Sequence, residues 1–206
     1  MTAHPDSRAT DPRLQLEPPG SQPRLWLFGL CVALPMLITS VALYWAVASG
    51  DPLKLIAGSL PLTLVLTLGG IAALVLPVWW VLDRAMQRHR ISITSSLLEV
   101  KTSFYSDKVA LAELKLDQAR VVDLDEHREL RPTRKTNGYA LPGFKSGHFR
   151  LKNGEKAFVA IAGERRALWI PANRGKGLLL QPRQPDALLG YLRERASALA
   201  APPPRR

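Results

Sequence analysis

Two long uncharged apolar stretches dominate the first part of this chain, Leu25 to Ser49 and Leu55 to Leu82, with only Gly50, Asp51, Pro52, Leu53 and Lys54 between them. In hydrocarbon a backbone must satisfy its N–H and C=O groups within its own segment, so each stretch predicts a spanning helix and the pair predicts a transmembrane hairpin. At about 1.5 Å per residue the second stretch would be about 42 Å long, against hydrocarbon about 30 Å thick. Tilt or kinks at Pro61 and Pro77 absorb the excess, and Pro35 offers the same in the first stretch. No Asp, Glu, Lys or Arg interrupts either stretch, which argues against an ion or proton pathway.

From Arg90 onward, apolar and polar positions alternate. Ile91 and Ile93, then Leu98, Val100, Thr102 and Phe104, read as strands about a turn at Thr94-Ser95-Ser96. Ser106-Asp107 reads as the next turn, ahead of Lys108-Val109-Ala110-Leu111. Leu114-Lys115-Leu116 and Val121-Val122 form a short, irregular stretch before a polar excursion from Asp123 to Gly147. His148 to Leu151 and Lys156 to Ile161 flank Asn153-Gly154, a strong hairpin signal. Ala167 to Ile170 and Leu178 to Leu180 bring the expected total to about seven strands. Leu188, Leu189, Leu192, Ala196 and Leu199 then fall at helical spacing behind Pro185-Asp186, with the carboxylate suited to the helix dipole.

The predicted class is α+β: a two-helix membrane hairpin, a seven-stranded bent sheet or partly open barrel, and a C-terminal helix capping its open end. The predicted organisation is a Pro-rich disordered lead-in over 1–24, the hairpin over 25–82, a basic juxtamembrane linker over 83–89, a β-rich domain over 90–199 and a disordered tail over 200–206. Within the domain run Asn137-Gly138, Pro142-Gly143, Gly147-His148-Phe149-Arg150-Leu151, Asn153-Gly154, Ala157-Phe158-Val159, Trp169-Ile170-Pro171, then Pro182 and Pro185-Asp186. That ordered succession, over about residues 90 to 195, resembles the membrane-anchored bacterial pleckstrin-homology-like (PH-like) domain proteins. The resemblance implies a non-enzymatic module with no cofactor, binding or assembling at the cytoplasmic face of a bacterial inner membrane. It transfers no phosphoinositide site, because a fold does not carry its function with it.

Charge sharpens the picture. The formal net charge is +11, and from Asp83 onward 24 Lys or Arg stand against 13 Asp or Glu, so the whole excess belongs to the domain side. Such a balance suits an anionic membrane surface, and the tether favours lipid over nucleic acid, which is not expected as a partner. The plainer reading of the excess is solubility together with the positive-inside signal. Arg24 before the first span, and Arg84, Arg88 and Arg90 after the second, outnumber the single Lys54 of the loop, which places both termini in the cytoplasm. Trp26, Phe28, Tyr44, Trp45, Trp79 and Trp80 fall where interfacial aromatics belong. The lone Cys31 excludes a disulfide framework. Ala46-Val47-Ala48 looks like a signal-peptidase site, but the apolar run before it is longer than the roughly 7–15 residues of a signal core.

Asp123 to Glu129 is rich in potential ligands but lacks a His-x-x-x-His or Cys partner, and Arg128 and Arg131 neutralise it. Gly175-Lys176 lacks the first Gly and the Ser or Thr of a phosphate loop, and Ser146 is not in a nucleophile elbow. The candidate contact surface is basic: Arg131, Arg134, Lys135, Lys145, His148, Arg150 and Lys152, interleaved with Tyr139, Phe144 and Phe149 and free of acidic residues from Arg131 to Asn153. Gly138, Pro142, Gly143, Gly147 and Gly154 are its expected turn formers. The surface predicts contact with anionic lipid headgroups or a protein partner, and the plainer reading is a long solvated loop. The alternatives are a homo-oligomerisation module and, third, an enzyme using the acidic stretch around Asp123 to Glu129, for which Asp125, Glu126 and His127 are the residues to replace.

Overall fold

The computed structural model describes residues 14–50, 59–94, 96–102, 104–163, 166–173 and 175–200. They fall into two compact units: Ser21–Ala85, and the segment up to Gly20 together with everything from Met86. The first unit is a pair of helices, α1 (Ser21–Ala48) and α2 (Leu60–Met86), each long and apolar enough to cross a membrane. Their most apolar windows are 11% and 0% buried, unlike a helix in a soluble core. Hydroxyls of Thr39, Ser40, Thr63 and Thr67 donate back to carbonyls four residues earlier, so these polar groups are satisfied within their own helix.

Proline acts differently at its three sites. Gly29–Ala33 forms a π-helical turn, with Leu34 N–H donating to Gly29 O. Pro35 follows directly, and the widened turn gives room for a ring that a regular turn would crowd. Pro77 lies inside α2. Pro61 is the second residue of α2, where no N–H is needed, so it starts the helix rather than kinking it. α2 also runs to Met86, so Asp83 and Arg84 belong to its last turn and not to a linker. Residues 51–58, which hold most of the expected inter-span turn and the expected start of the second span, lie outside the described residues, as do 1–13 and 201–206.

The second unit holds nine strands, not seven. β1 (Arg90–Thr94), β2 (Leu97–Lys101) and β3 (Ser106–Ala110) form an antiparallel meander. β4 (Arg120–Asp123), β5 (Pro132–Leu141), β6 (Phe144–Leu151), β7 (Lys156–Ile161), β8 (Arg166–Ile170) and β9 (Gly177–Leu180) form a second sheet in the order β4-β8-β9-β7-β6-β5. Its β7–β9 pair is parallel and its other pairs are antiparallel. The C-terminal helix α3 spans Pro185–Ala200.

Alternation sends each central strand into two cores. Phe158, Ala160, Leu168, Ile170, Leu178 and Leu180 meet Ile91, Ile93, Leu98 and Val100 of the meander and Leu188, Leu189 and Leu192 of α3. Ala157, Val159, Ala167, Trp169 and Leu179 meet Phe149 and Leu151 of β6, with Leu124 and Leu130 from the connection after β4. Strands buried on both faces read as unbroken apolar runs, which is how β7 to β9 look in the sequence.

The lead-in departs most from expectation. Leu14 and Leu16 are buried in the first core. Leu16 bridges Pro182, with Glu17 N–H donating to Gln181 O at 2.8 Å and Arg183 N–H to Gln15 O at 3.0 Å. Proline fits here because the bridge needs donors only from the residues on either side of it. Residues 14–20 are therefore a strap on the domain, and two buried leucines outweigh the Pro-rich composition around them.

Candidate functional site

The expected polar excursion is a hairpin. β5 and β6 pair from Pro132↔Leu151 to Leu141↔Phe144 across a turn at Pro142-Gly143, with register shifts at Pro132/Arg134 and Lys135/Asn137. Gly143 has φ +75° and Gly154, in the β6–β7 turn, φ +89°, so both serve turns as expected. Gly138 and Gly147 do not: they lie inside β5 and β6, directly opposite each other. A Cβ on Gly147 would meet Gly138 Cα at 2.6 Å, and one on Gly138 would meet the Phe149 ring at 2.9 Å. They are glycines because the two backbones and an aromatic ring crowd there. Ser106-Asp107 likewise opens β3 rather than turning; the turn is Thr102 to Tyr105, closed by Thr102 N–H on Tyr105 O at 2.8 Å.

The hairpin does not gather the seven basic residues into one surface. Arg134 stands opposite Arg150, whereas Lys135 stands opposite Phe149, which faces the second core. Since directly opposed residues share a face, the charges divide between the two sides of the sheet. Three of the seven serve the domain itself. Arg131 donates to Leu124 O at 2.6 Å and pairs with Asp125, pinning the β4–β5 connection. Lys145 Nζ donates to Pro132 O at 2.9 Å, and burial, then the nearby Arg131, push its pKa below the usual lysine range. His148 stacks edge-on against Phe158 at 5.2 Å, with Lys176 Nζ 3.4 Å from its Nδ1 and Lys176 in turn 3.4 Å from Asp107. Burial and then Lys176 push the imidazole below its ordinary range, which favours its neutral form.

What remains outward is Arg134, Lys135, Arg150 and Lys152, all exposed, with Arg150 also donating to Gly154 O at 3.2 Å. β5 is the sheet's edge, and exposed charges with register shifts are also how edges avoid unwanted pairing. Of the juxtamembrane cations, Arg84 lies over the Trp80 ring at 5.2 Å, while Arg88 and Arg90 are exposed.

The acidic stretch is occupied by its own turns. Asp123 accepts from Asp125 N–H at 2.7 Å through its side chain and from His127 N–H at 2.8 Å through its backbone. His127 Nδ1 lies 3.0 Å from Glu129, whose carboxyl is held below the ordinary range first by a backbone hydrogen bond and then by His127. Among the described residues no group of three or more His, Cys, Asp or Glu could hold a metal ion.

Sequence reasoning missed two features. One is a cleft of about 750 Å³ over Trp169 and Leu130, rimmed by Lys115, Arg120 and Lys156 against Asp117, Glu129 and Glu155. The other is the bidentate pair in the helical unit, Arg24 Nε to Asp83 Oδ1 at 2.6 Å and Arg24 Nη2 to Asp83 Oδ2 at 2.9 Å. Phe28 meets Trp79 edge-on at 5.5 Å beside it. Residues 24 with 83 and 28 with 79 are the antiparallel pairing a hairpin requires, and that matched spacing was the available signal. Compared with protein families, curated proteins and solved structures, the chain matches none.

Proposed function

We propose that this chain is a membrane-anchored, non-enzymatic PH-like module that presents its domain at the cytoplasmic face of a bacterial inner membrane and binds an anionic surface there. The observation that carries the reading is connectivity. The chain leaves the domain at Gly20 and re-enters it at Met86, with Leu14 and Leu16 in the same core as β1. An apolar helix pair whose outer ends belong to one folded body must return to the side it started from. The domain-side cations Arg84, Arg88 and Arg90 favour the cytoplasmic side. Cleavage after Ala48 would remove the strap and open the first core, which weighs against a processed signal.

The two-sheet core capped by α3 supports the PH-like reading in its layers, while the parallel β7–β9 pair departs from a plain up-and-down order. Arg134, Lys135, Arg150 and Lys152 are the outward cations for lipid headgroups or an acidic protein; each contributes on the order of 1 kcal/mol near an anionic surface. The test is a Lys135→Cys chain in a Cys31→Ser background, probed in spheroplasts with a membrane-impermeant maleimide. Labelling only after the membrane is opened is expected, and labelling of intact spheroplasts overturns the orientation. A photocrosslinker at Arg134 then separates lipid, a second protein and a second copy of the chain as the neighbour.

A further inference from the structure

A smaller cavity, of about 280 Å³, lies where the strap passes the start of β1, and Gln15, Gln87, His89, Arg90 and Arg183 contribute its polar lining. Among the described residues no Asp or Glu lines it. The nearest acid of the strap, Glu17, is engaged through its backbone with Gln181 and is not part of the wall. Neither guanidinium has an ion-pair partner among the described residues, although Asp and Glu occur throughout the domain. Arg90 also stands directly across the ladder from Lys101, whose own Nζ turns to Glu99 at 3.2 Å. Like charges directly opposed destabilise a sheet unless a counter-charge sits nearby. Two guanidiniums and two amides on the residues that line one small hollow are the donors that recognise a tetrahedral oxyanion, with arginine suited to its paired oxygens.

We propose that this cavity is an oxyanion site that takes a phosphate group, with Arg90 and Arg183 supplying the charge and Gln15 and Gln87 completing the hydrogen bonds. Its volume falls below the range of about 300–1,000 Å³ usual for drug-sized ligands, so it fits a phosphate or the phosphate of a headgroup rather than a large ligand. Gln15 belongs to the strap, whereas Gln87, His89 and Arg90 follow α2 and Arg183 follows β9. A bound phosphate therefore fastens three separate segments of the chain at one point. His89 lies three residues beyond Met86, the end of α2, which brings a phospholipid headgroup into consideration beside free phosphate. Only that lipid source rests on the membrane reading above; the anion chemistry does not.

The experiment uses the full chain in maltoside detergent, whose headgroup carries no phosphate. Sodium phosphate is titrated against sodium chloride at matched ionic strength, and the thermal midpoint of the domain is followed. A ligand that binds only the folded state raises the midpoint. Phosphate should raise it in the wild type, and Arg90→Gln/Arg183→Gln should need at least ten times more phosphate for the same shift. Lys135→Gln/Lys152→Gln should respond as the wild type does, which separates this site from the basic hairpin. Should the double arginine variant fold poorly, Arg183→Gln alone supplies the comparison, because its side chain is exposed. Repeating the titration in nanodiscs containing phosphatidylglycerol distinguishes the sources: a response already saturated identifies the lipid phosphate, an unchanged response identifies the free ion. No phosphate-specific shift in the detergent, or a double variant that responds like the wild type, overturns the proposal.

Discussion

The helices α1 and α2 and the strands β7 to β9 are the most apolar parts of the molecule, yet they treat their side chains in opposite ways. Leu37, Ile38, Val65 and Leu74 on the helices are 60–69% exposed, whereas Phe158, Leu168, Leu178 and Leu179 in the sheet are 0% exposed. Apolarity alone therefore does not say what a segment is for. The strands satisfy theirs within the protein, over two faces and two cores, while the helices leave theirs uncovered by the rest of the chain. An exposed apolar surface of that extent in water would be an aggregation site.

The sharpest way to break this contrast is truncation on each side of it. Leu179→Ala should cost the domain about 2–5 kcal/mol through lost contacts and a cavity. Leu37→Ala should leave domain stability unchanged, with both variants measured by pulse proteolysis in urea on the nanodisc-embedded chain. Equal losses would make α1 a core helix of some water-soluble assembly. Acid probes the junction next. Burial pulls His89 down to about 4, against a smaller opposing effect of the Gln87 backbone. The unfolded chain then takes up the proton first, so stability present above about pH 6.5 is lost as the pH falls toward 4, by about 3 kcal/mol from this group. His148, also depressed, adds to the loss in the same direction. Denaturation at pH 7 and at pH 4.5 should show a smaller difference in His89→Gln than in the wild type, with His148 and the lowered carboxyls of Glu99 and Glu129 contributing to what remains. The smallest effect belongs to the helical unit. Arg24 is 46% exposed, so solvent screens its pair with Asp83, and a double-mutant cycle with Arg24→Gln and Asp83→Asn should give on the order of 1 kcal/mol of coupling. No coupling would mean that the pair does not hold the two helices together.

These contrasts also explain what the sequence made legible. The two long apolar helices, the stripe of α3 and strands β7 to β9 were readable because each shows a long apolar run or a strict period. β5 was not, since an edge strand with Arg134, Lys135, Thr136 and Asn137 facing water has no apolar rhythm to read. The strap escaped for the opposite reason: two leucines suffice for a bridge, and nothing periodic accompanies them. The basic surface was legible as a composition but not as a face. A run of cations along two paired strands alternates sides, and bulges shift the alternation again. Arg90 and Arg183, far apart in the chain, become neighbours of one cavity only through folding.

The bridge at Leu16 and Pro182 has a mechanical consequence. A domain hung from one helix could swivel about a single covalent axis, but this one is held by two leads. One enters directly from Met86, and the other passes through Pro18-Pro19-Gly20 to leucines buried in its interior. Any force that shifts α1 along its length is thus delivered to the seam where Glu17 and Gln181 join, at a spot secured by two main-chain bonds.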